Sequence, residues 1–381
     1  MSKINISQFQ VDTKIISGAK ACGVIADEVK RLSAKSTFVI SDPVIDSLGL
    51  GSEIFNALEG IGAHNEQFNE IEPNPRDKTV EKMVLNLEKE KIDLVIALGG
   101  GSVIDAAKAF AALYSFGGKC LDYEGEGKVS GKALPIIAIP TTAGTGSEVT
   151  CWSVLTAEHG NRPPYKFGIG SEYLMPIVAV LDPELTLSLP PQLTAATGVD
   201  ALTHAVEAYT SKAANLFTDA LALEAIKIIA EYLPKVVADP GYLAGRHYLL
   251  QASAMAGIAF NIADLGAVHS MSEAVGGLYD LGHGLSNAII LPHVINYNYS
   301  AAPGRYSRIA GLFEDNNKDS CAEVIYNFIR DLGLPLTLKE VGLTELDLEI
   351  LSELAFENSS TCFNPKPADV DDFKELFKKV L

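Results

Sequence analysis

Cysteine is sparse in this 381-residue chain. The five cysteines (Cys22, Cys120, Cys151, Cys321 and Cys362) are widely spaced, and no two form a C-x-x-C pair. An odd, scattered set argues against a disulfide framework and a thiolate zinc site, and it suits a reducing cytoplasm. Basic residues are also short: 30 Lys and Arg stand against 48 Asp and Glu, for a formal net charge of −18. Nucleic acid or an anionic membrane would need a basic surface, so neither is expected as a partner. A locally positive pocket for an anionic cofactor stays compatible with this charge. No apolar run approaches the roughly 20 residues of a membrane span, and the opening MSKINISQFQ has no signal-peptide core. The expected location is cytoplasmic. Tryptophan occurs once and histidine only seven times, so a cluster of histidines carries weight.

Aliphatic residues are plentiful. Hydrophobic side chains make up 48% of the chain, and the length suits two domains. The first half alternates. Short apolar strands are expected at 37–42, 93–98, 134–139 and 177–182, with helices at 50–59, 79–89 and 102–113. Strands that are apolar throughout, alternating with helices, indicate a parallel sheet covered on both faces. Residues 150–169 read as a hairpin insertion. From Leu189-Pro190-Pro191 onward the β-rich runs cease. Ala/Leu patterns predict helices at 191–210, 217–232, 243–262, 320–332, 346–356 and 369–380. The expected division is an α/β domain over 1–189 and an all-helical domain over 190–381.

Two glycine-rich turns end neighbouring strands. In LGGGSVIDAAK, Gly99, Gly100 and Gly101 allow a tight turn, and Ser102 is placed to cap the following helix. A helix N-terminus there suits a pyrophosphate. The pattern is neither G-x-G-x-x-G nor a P-loop, so an ordinary strand-to-helix turn explains it equally well. PTTAGTGSE supplies a second such turn, and the pair would line the crevice where nucleotides bind. Asp42 ends the first strand. It is either a turn residue before Pro43 or an acid for the ribose hydroxyls, which favours NAD over NADP.

TAATGVDALTHAVEAYT reads as a buried helix interrupted by Asp200 and His204, four apart and therefore on one face. The two are either a hydrogen-bonded core pair or metal ligands. LGAVHSMSEAVGGLYDLGHGLSNAIILPHV adds His269, Glu273, His283 and His293. His269 and Glu273 share a helical face, and His283 lies between two glycines, as in a turn that admits a ligand. One carboxylate and three imidazoles (Asp200, His204, His269, His283) suit Fe(II) or Zn(II). His293 reads as structural. His64, His159 and His247 read as surface residues.

Together GGGSVIDAAK, PTTAGTGSEVT, GVDALTHAVEAY, the His269–His283 segment and TCFNPKP resemble, in order and over nearly the whole chain, the iron-containing (group III) alcohol dehydrogenases. The resemblance implies a Rossmann-like parallel-sheet domain, a helical metal-binding domain of the dehydroquinate synthase-like fold, and a metal in the cleft between them. It places the metal on Asp200, His204, His269 and His283. It places NAD(H) contacts on Asp42, Asn74, Gly99, Gly100, Gly101, Ser102, Asp105, Thr141, Thr142, Thr150 and Lys166. It places the substrate pocket at Trp152, Phe260, Leu265 and Cys362. Many members carry a histidine where this chain has Glu273, which leaves Glu273 as the candidate proton relay. The implied activity is hydride transfer between a short alcohol, diol or small polar aldehyde and the nicotinamide, with Fe2+ or Zn2+ activating the oxygen, in a homodimer. Ethanol, propanediol, lactaldehyde and sulfoacetaldehyde are the substrates in view. Glycerol-dehydrogenase-like or dehydroquinate-synthase-like chemistry and a non-catalytic nucleotide-binding role are the competing expectations.

Overall fold

The computed structural model describes residues 8–87, 91–158, 163–313 and 320–381. His159 and Lys89 lie outside the described residues. The strands β1 (Lys14–Ser17), β2 (Ser36–Ile40), β3 (His64–Phe68), β4 (Leu94–Gly99), β6 (Ile136–Pro140) and β9 (Val178–Leu181) form one parallel sheet in the order β1-β9-β6-β4-β2-β3. Within β4 the side chains alternate between two cores. Val95 and Ala97 pack with Phe110 on one face, while Leu94, Ile96 and Leu98 pack with Ile25, Ile54 and Leu58 on the other. That two-sided burial is why the central strands are apolar throughout. The edge strands β1 and β3 read KIIS and HNEQF and are largely exposed or half-buried, which is why apolar patterning did not mark them. His64 lies on β3 and is exposed, as expected of a surface residue.

The helices α1 (Ile25–Arg31), α2 (Pro43–Ser47), α3 (Ser52–Gly60), α4 (Asp77–Asn86) and α5 (Gly101–Phe116) flank this sheet. The expected insertion is a hairpin of β7 (Trp152–Ala157) and β8 (Tyr165–Gly170), with the two-residue β5 (Gly125–Glu126) added alongside β8. It lays Lys166 and Trp152 over the carboxyl end of the sheet.

The second half is helical: α6 (Pro191–Thr210), α7 (Leu216–Ala238), α8 (Leu243–Ala263), α9 (Ala267–Tyr279), α10 (His283–Asn298), α11 (Pro303–Ala310), α12 (Cys321–Asp331), α13 (Leu348–Glu357) and α14 (Val370–Val380). Among the described residues no single helix is long and apolar enough to cross a membrane. Helix α6 runs through the middle and is buried almost all round, packing against α7, α8 and α10. Helix α7 continues past the expected end, through Pro234, because Leu233 and Val236 are buried in the core. His293 lies on α10, part-buried and away from the cleft, as a structural residue would.

Two local expectations are corrected. Ser102 does not cap α5: Gly100 holds the cap position and makes no side-chain cap bond. Ser102 lies within the first turn instead, leaving N–H groups there without a side-chain cap. His283 is not in a free turn but opens α10.

Candidate metal and cofactor cleft

Helix α6 buries three ionisable side chains, not two: Asp200, His204 and Glu207. Asp200 and His204 stand one helical turn apart. His269 comes from α9 and His283 from the start of α10. One ligand atom from each of Asp200, His204, His269 and His283 lies within 4.8 Å of all the others. The imidazoles of His204 and His269 stack at 4.6 Å, and Phe260 stacks on His204 at 4.4 Å. Gly284 lets the α10 end reach α6: a Cβ there would lie 2.5 Å from the Ala196 carbonyl oxygen.

The partners of these side chains set their chemistry. His204 Nδ1 faces the Gly144 carbonyl oxygen at 3.2 Å, so it carries the proton and leaves Nε2 free. His269 Nδ1 donates to Glu207 Oε2 at 2.5 Å, which leaves Nε2 unprotonated, with Asn287 Nδ2 3.2 Å from it. Glu207 also accepts from the backbone N–H groups of Val268 and His269, at 2.8 and 3.4 Å. This carboxylate–histidine pairing orients a metal-binding imidazole. Burial pushes the Glu207 carboxyl up to about 7, against the pull of those backbone donors. Burial likewise lowers His204 and His269 to about 4, and His283 well below its ordinary value. All three imidazoles are therefore held neutral, the form that binds metal. Asn287 Nδ2 donates to Asp200 Oδ1 at 2.7 Å and aligns that carboxylate. His283 Nε2 stands 3.6 Å from Asp200 Oδ1, and His283 Nδ1 is buried with no partner. Neutral nitrogens and one carboxylate converging at one point fit a divalent cation, and no thiolate takes part.

Beside this cluster, α5 begins where β4 ends, next to β6 in the register Gly99↔Pro140. A Cβ on Gly101 would meet the Thr145 side chain at 2.5 Å, so the two glycine-rich turns touch only because that residue is bare. A helix N-terminus without a side-chain cap, backed by such a turn, fits a pyrophosphate. Asp105 holds the neighbouring hairpin, accepting from Ser147 Oγ at 2.6 Å and Val154 N at 3.1 Å. Lys108, fully buried, donates to Ser147 Oγ, Thr150 Oγ1 and the Trp152 carbonyl at 2.8, 3.2 and 2.7 Å. Burial lowers it to about 8, with Asp105 pulling the other way.

One cavity of about 1040 Å³ joins the two features. Its wall includes Asn74, Gly101, Ser102, Asp105, Thr150 and Lys166 on the nucleotide side, with His204, His269 and His283 at its base. Trp152, Phe260, Leu265, Cys362 and Glu273 line it as well. Asp42, Gly99, Gly100, Thr141 and Thr142 lie outside that wall. Asp42 caps α2 through Val44 and Ile45 N–H, and Thr142 packs on Gly100. Asp200 is buried behind the histidines.

Sequence reading missed Glu207, Asn287, Lys108, Asp264 and Asn358. Glu207 had a signal, since it is a further acid in an apolar helix three residues after His204. Asp264 had none, because its importance lies in backbone geometry. It joins α8 to α9 at φ 61° and ψ −178°, a region essentially reserved for glycine.

Residues 12–183 match the family model described as iron-containing alcohol dehydrogenase. Residues 194–381 match the Fe-containing alcohol dehydrogenase family, C-terminal. The NAD-dependent methanol dehydrogenase of Bacillus methanolicus is 36% identical, over 99% of this chain and 100% of its own. The crystal structure of 1,3-propanediol oxidoreductase superposes with a TM-score of 0.93 at 36% identity, covering 99% of this chain and 100% of that one. Sulfoacetaldehyde reductase from Bifidobacterium kashiwanohense, solved in complex with NAD+, gives 0.88 at 31% identity, covering 99% of each. A parallel sheet backed by a helical half, with a buried Asp–His cluster in the cleft, is thus the architecture of metal-dependent alcohol dehydrogenases. The chain belongs to the iron-containing alcohol dehydrogenase family, and it is an enzyme of that type.

Proposed function

We propose that the chain is an NAD-dependent alcohol dehydrogenase and aldehyde reductase that works with a divalent metal on Asp200, His204, His269 and His283. The observation that carries this reading is the convergence of those four ligand atoms within 4.8 Å at the base of the cavity. The metal supplies Lewis acidity and NAD(H) carries the hydride. Iron(II) is the proposed ion, and the donor set also suits Zn(II).

The chain's own groups supply order. Gly144 and Glu207 lock two imidazole tautomers, and Asn287 aligns Asp200. Trp152, Phe260 and Leu265 surround the reacting carbon with apolar surface and keep water out. The first turn of α5 would hold the cofactor phosphates, and Lys166 would serve the nicotinamide ribose from the same cavity wall. Glu273 stands one turn beyond His269 and is placed to hold or pass a proton at its carboxylate. The substrate is a short alcohol, diol or small aldehyde, in keeping with the methanol and 1,3-propanediol named for relatives. Cytoplasmic residence and a homodimer belong to the same proposal. All five cysteines are free, which suits a reducing compartment.

The test is direct. Purified protein is stripped of metal, reloaded with Fe(II) or Zn(II), and assayed by NADH absorbance on C1–C3 alcohols and aldehydes. Metal-dependent turnover is expected. Equal turnover by stripped and loaded protein would overturn the mechanism.

A further inference from the structure

Two carboxylates in this cleft have no place in metal or cofactor binding. Glu273 projects from α9 one turn beyond His269, about 6 Å along the helix. Its Oε2 accepts from Asn358 Nδ2 at 2.6 Å. Asp264 sits at the corner between α8 and α9, next to the stretch that carries Phe260, which stacks on His204. Its Oδ1 accepts from Ser360 Oγ at 3.0 Å. Asn358 and Ser360 belong to one short segment, so a single stretch of chain anchors both acids to the roof of the cavity. Both acids line the cavity that has the metal-ligand histidines at its base.

Two features separate this pair from a solvated acidic patch. First, each lies within the described cleft, and each is largely withdrawn from water. Burial raises both carboxyls, with Lys166 opposing it at Glu273. Second, Asp264 adopts φ 61°, ψ −178°. A side chain there costs stability that glycine would not, and such strain persists where the side chain has a task. Among the described residues no Lys, Arg or His lies within salt-bridge distance of either carboxylate. Two lysines line the same wall: Lys166 passes over Gly276 on the nucleotide side, with Nζ 3.3 Å from where a Cβ would sit, and Lys212 donates to the Cys362 carbonyl oxygen at 3.2 Å.

We propose that Glu273 and Asp264 are specificity-determining residues that form a distal subsite for a substrate whose far end donates hydrogen bonds, a hydroxyl or an ammonium group two or three carbons from the reacting carbon. The same pair excludes a carboxylate or sulfonate at that end. The inference rests on the alcohol dehydrogenase reading above and narrows its substrate class. The anionic sulfoacetaldehyde leaves the set, and small diols and amino alcohols lead it. The physical basis is that a part-buried acceptor left without a donor penalises the wrong substrate more than it rewards the right one.

Four alcohols of one length test it with Fe(II)-loaded enzyme and NAD: 1-propanol, 1,3-propanediol, 3-amino-1-propanol and 3-hydroxypropanoate. The expected order of kcat/KM puts the diol and the amino alcohol about tenfold or more above 1-propanol, with the carboxylate last. In Glu273→Gln the ratio of amino alcohol to carboxylate falls about tenfold. Asp264→Gly removes the second carboxylate and the strain together. Its Tm rises while the same ratio falls, a combination that a purely structural Asp264 would not give. The diol and the amino alcohol separate the two donor types: Glu273→Gln reduces the amino alcohol more. Flat selectivity in the wild type, or unchanged ratios in both variants, overturns the subsite alone. No turnover of any of the four alcohols overturns the subsite and the hydride-transfer reading together.

Discussion

The two halves of the cleft are built in opposite ways. The phosphate-facing part of the nucleotide side is made of consecutive backbone: β4, a run of glycines and the first turn of α5, in an unbroken stretch from Leu94. The metal side is made of side chains from three helices, brought together from Asp200 to His283. A backbone site needs only room and free N–H groups. A side-chain site also needs partners that fix each tautomer and rotamer, here Gly144, Glu207 and Asn287. The cofactor side should therefore be sensitive to added bulk, and the metal side to lost hydrogen bonds.

The largest effect is expected from Asp200→Ala. Losing the only carboxylate ligand should remove the metal and lower turnover by roughly 10³-fold or more, because the ion supplies several kcal/mol to the barrier. NADH affinity, measured by fluorescence titration, should stay within a few-fold. A metal-free Asp200→Ala protein with full activity would contradict the division between the halves. Gly101→Ala should do the reverse. Its Cβ would lie 2.5 Å from the Thr145 side chain and push the turns apart. A displacement of that kind costs up to roughly 100-fold in kcat/KM for NAD, with metal content unchanged. Glu207→Gln probes the partners of the metal side. It should raise the metal Kd about 10–100-fold, read by competition with a chelator, while all four ligands remain.

The smallest effect is a pH dependence of the metal-free protein. His204 and His269 titrate near 4 when folded, against 6.5 for a free imidazole. The unfolded chain therefore binds more protons between those values. Their contribution to stability is full above about 6.5 and is lost as the pH falls toward 4, while Glu207, raised to about 7, contributes in the opposite sense. NMR titration of the ring resonances in chelated protein should show neither histidine charging until the pH approaches 4, and saturating metal should push that charging lower still. Charging of either ring near pH 6.5 would mean that the histidines are not held neutral by burial.

Much of this was legible in residues alone. The apolar runs of β4, β6 and β9 announced a covered parallel sheet, since strands buried on both faces leave no polar alternation. The pair Asp200 and His204 was visible because two polar groups four apart in an apolar helix need a purpose. The edge strands were not legible, because KIIS and HNEQF face solvent and carry no pattern. Ser102 misled for a local reason: its type suits a cap, but the chain turns two residues too early for it to serve. Glu207 stood in plain view, but its contact with His269 spans sequence-distant helices.

By itself, then, the sequence determined the family, the sheet, the helical half and the residue types that bind metal. Those depend on short-range periodicity and on motif order. Only the tertiary structure decided which nitrogen of each histidine is free, that Glu207 and Asn287 stand behind the ligands, and that Asp264 takes a glycine-like conformation beside Glu273 in the cleft. These are facts of direction and distance between residues far apart in the chain. Packing sets such facts after the helices form, so no local pattern encodes them.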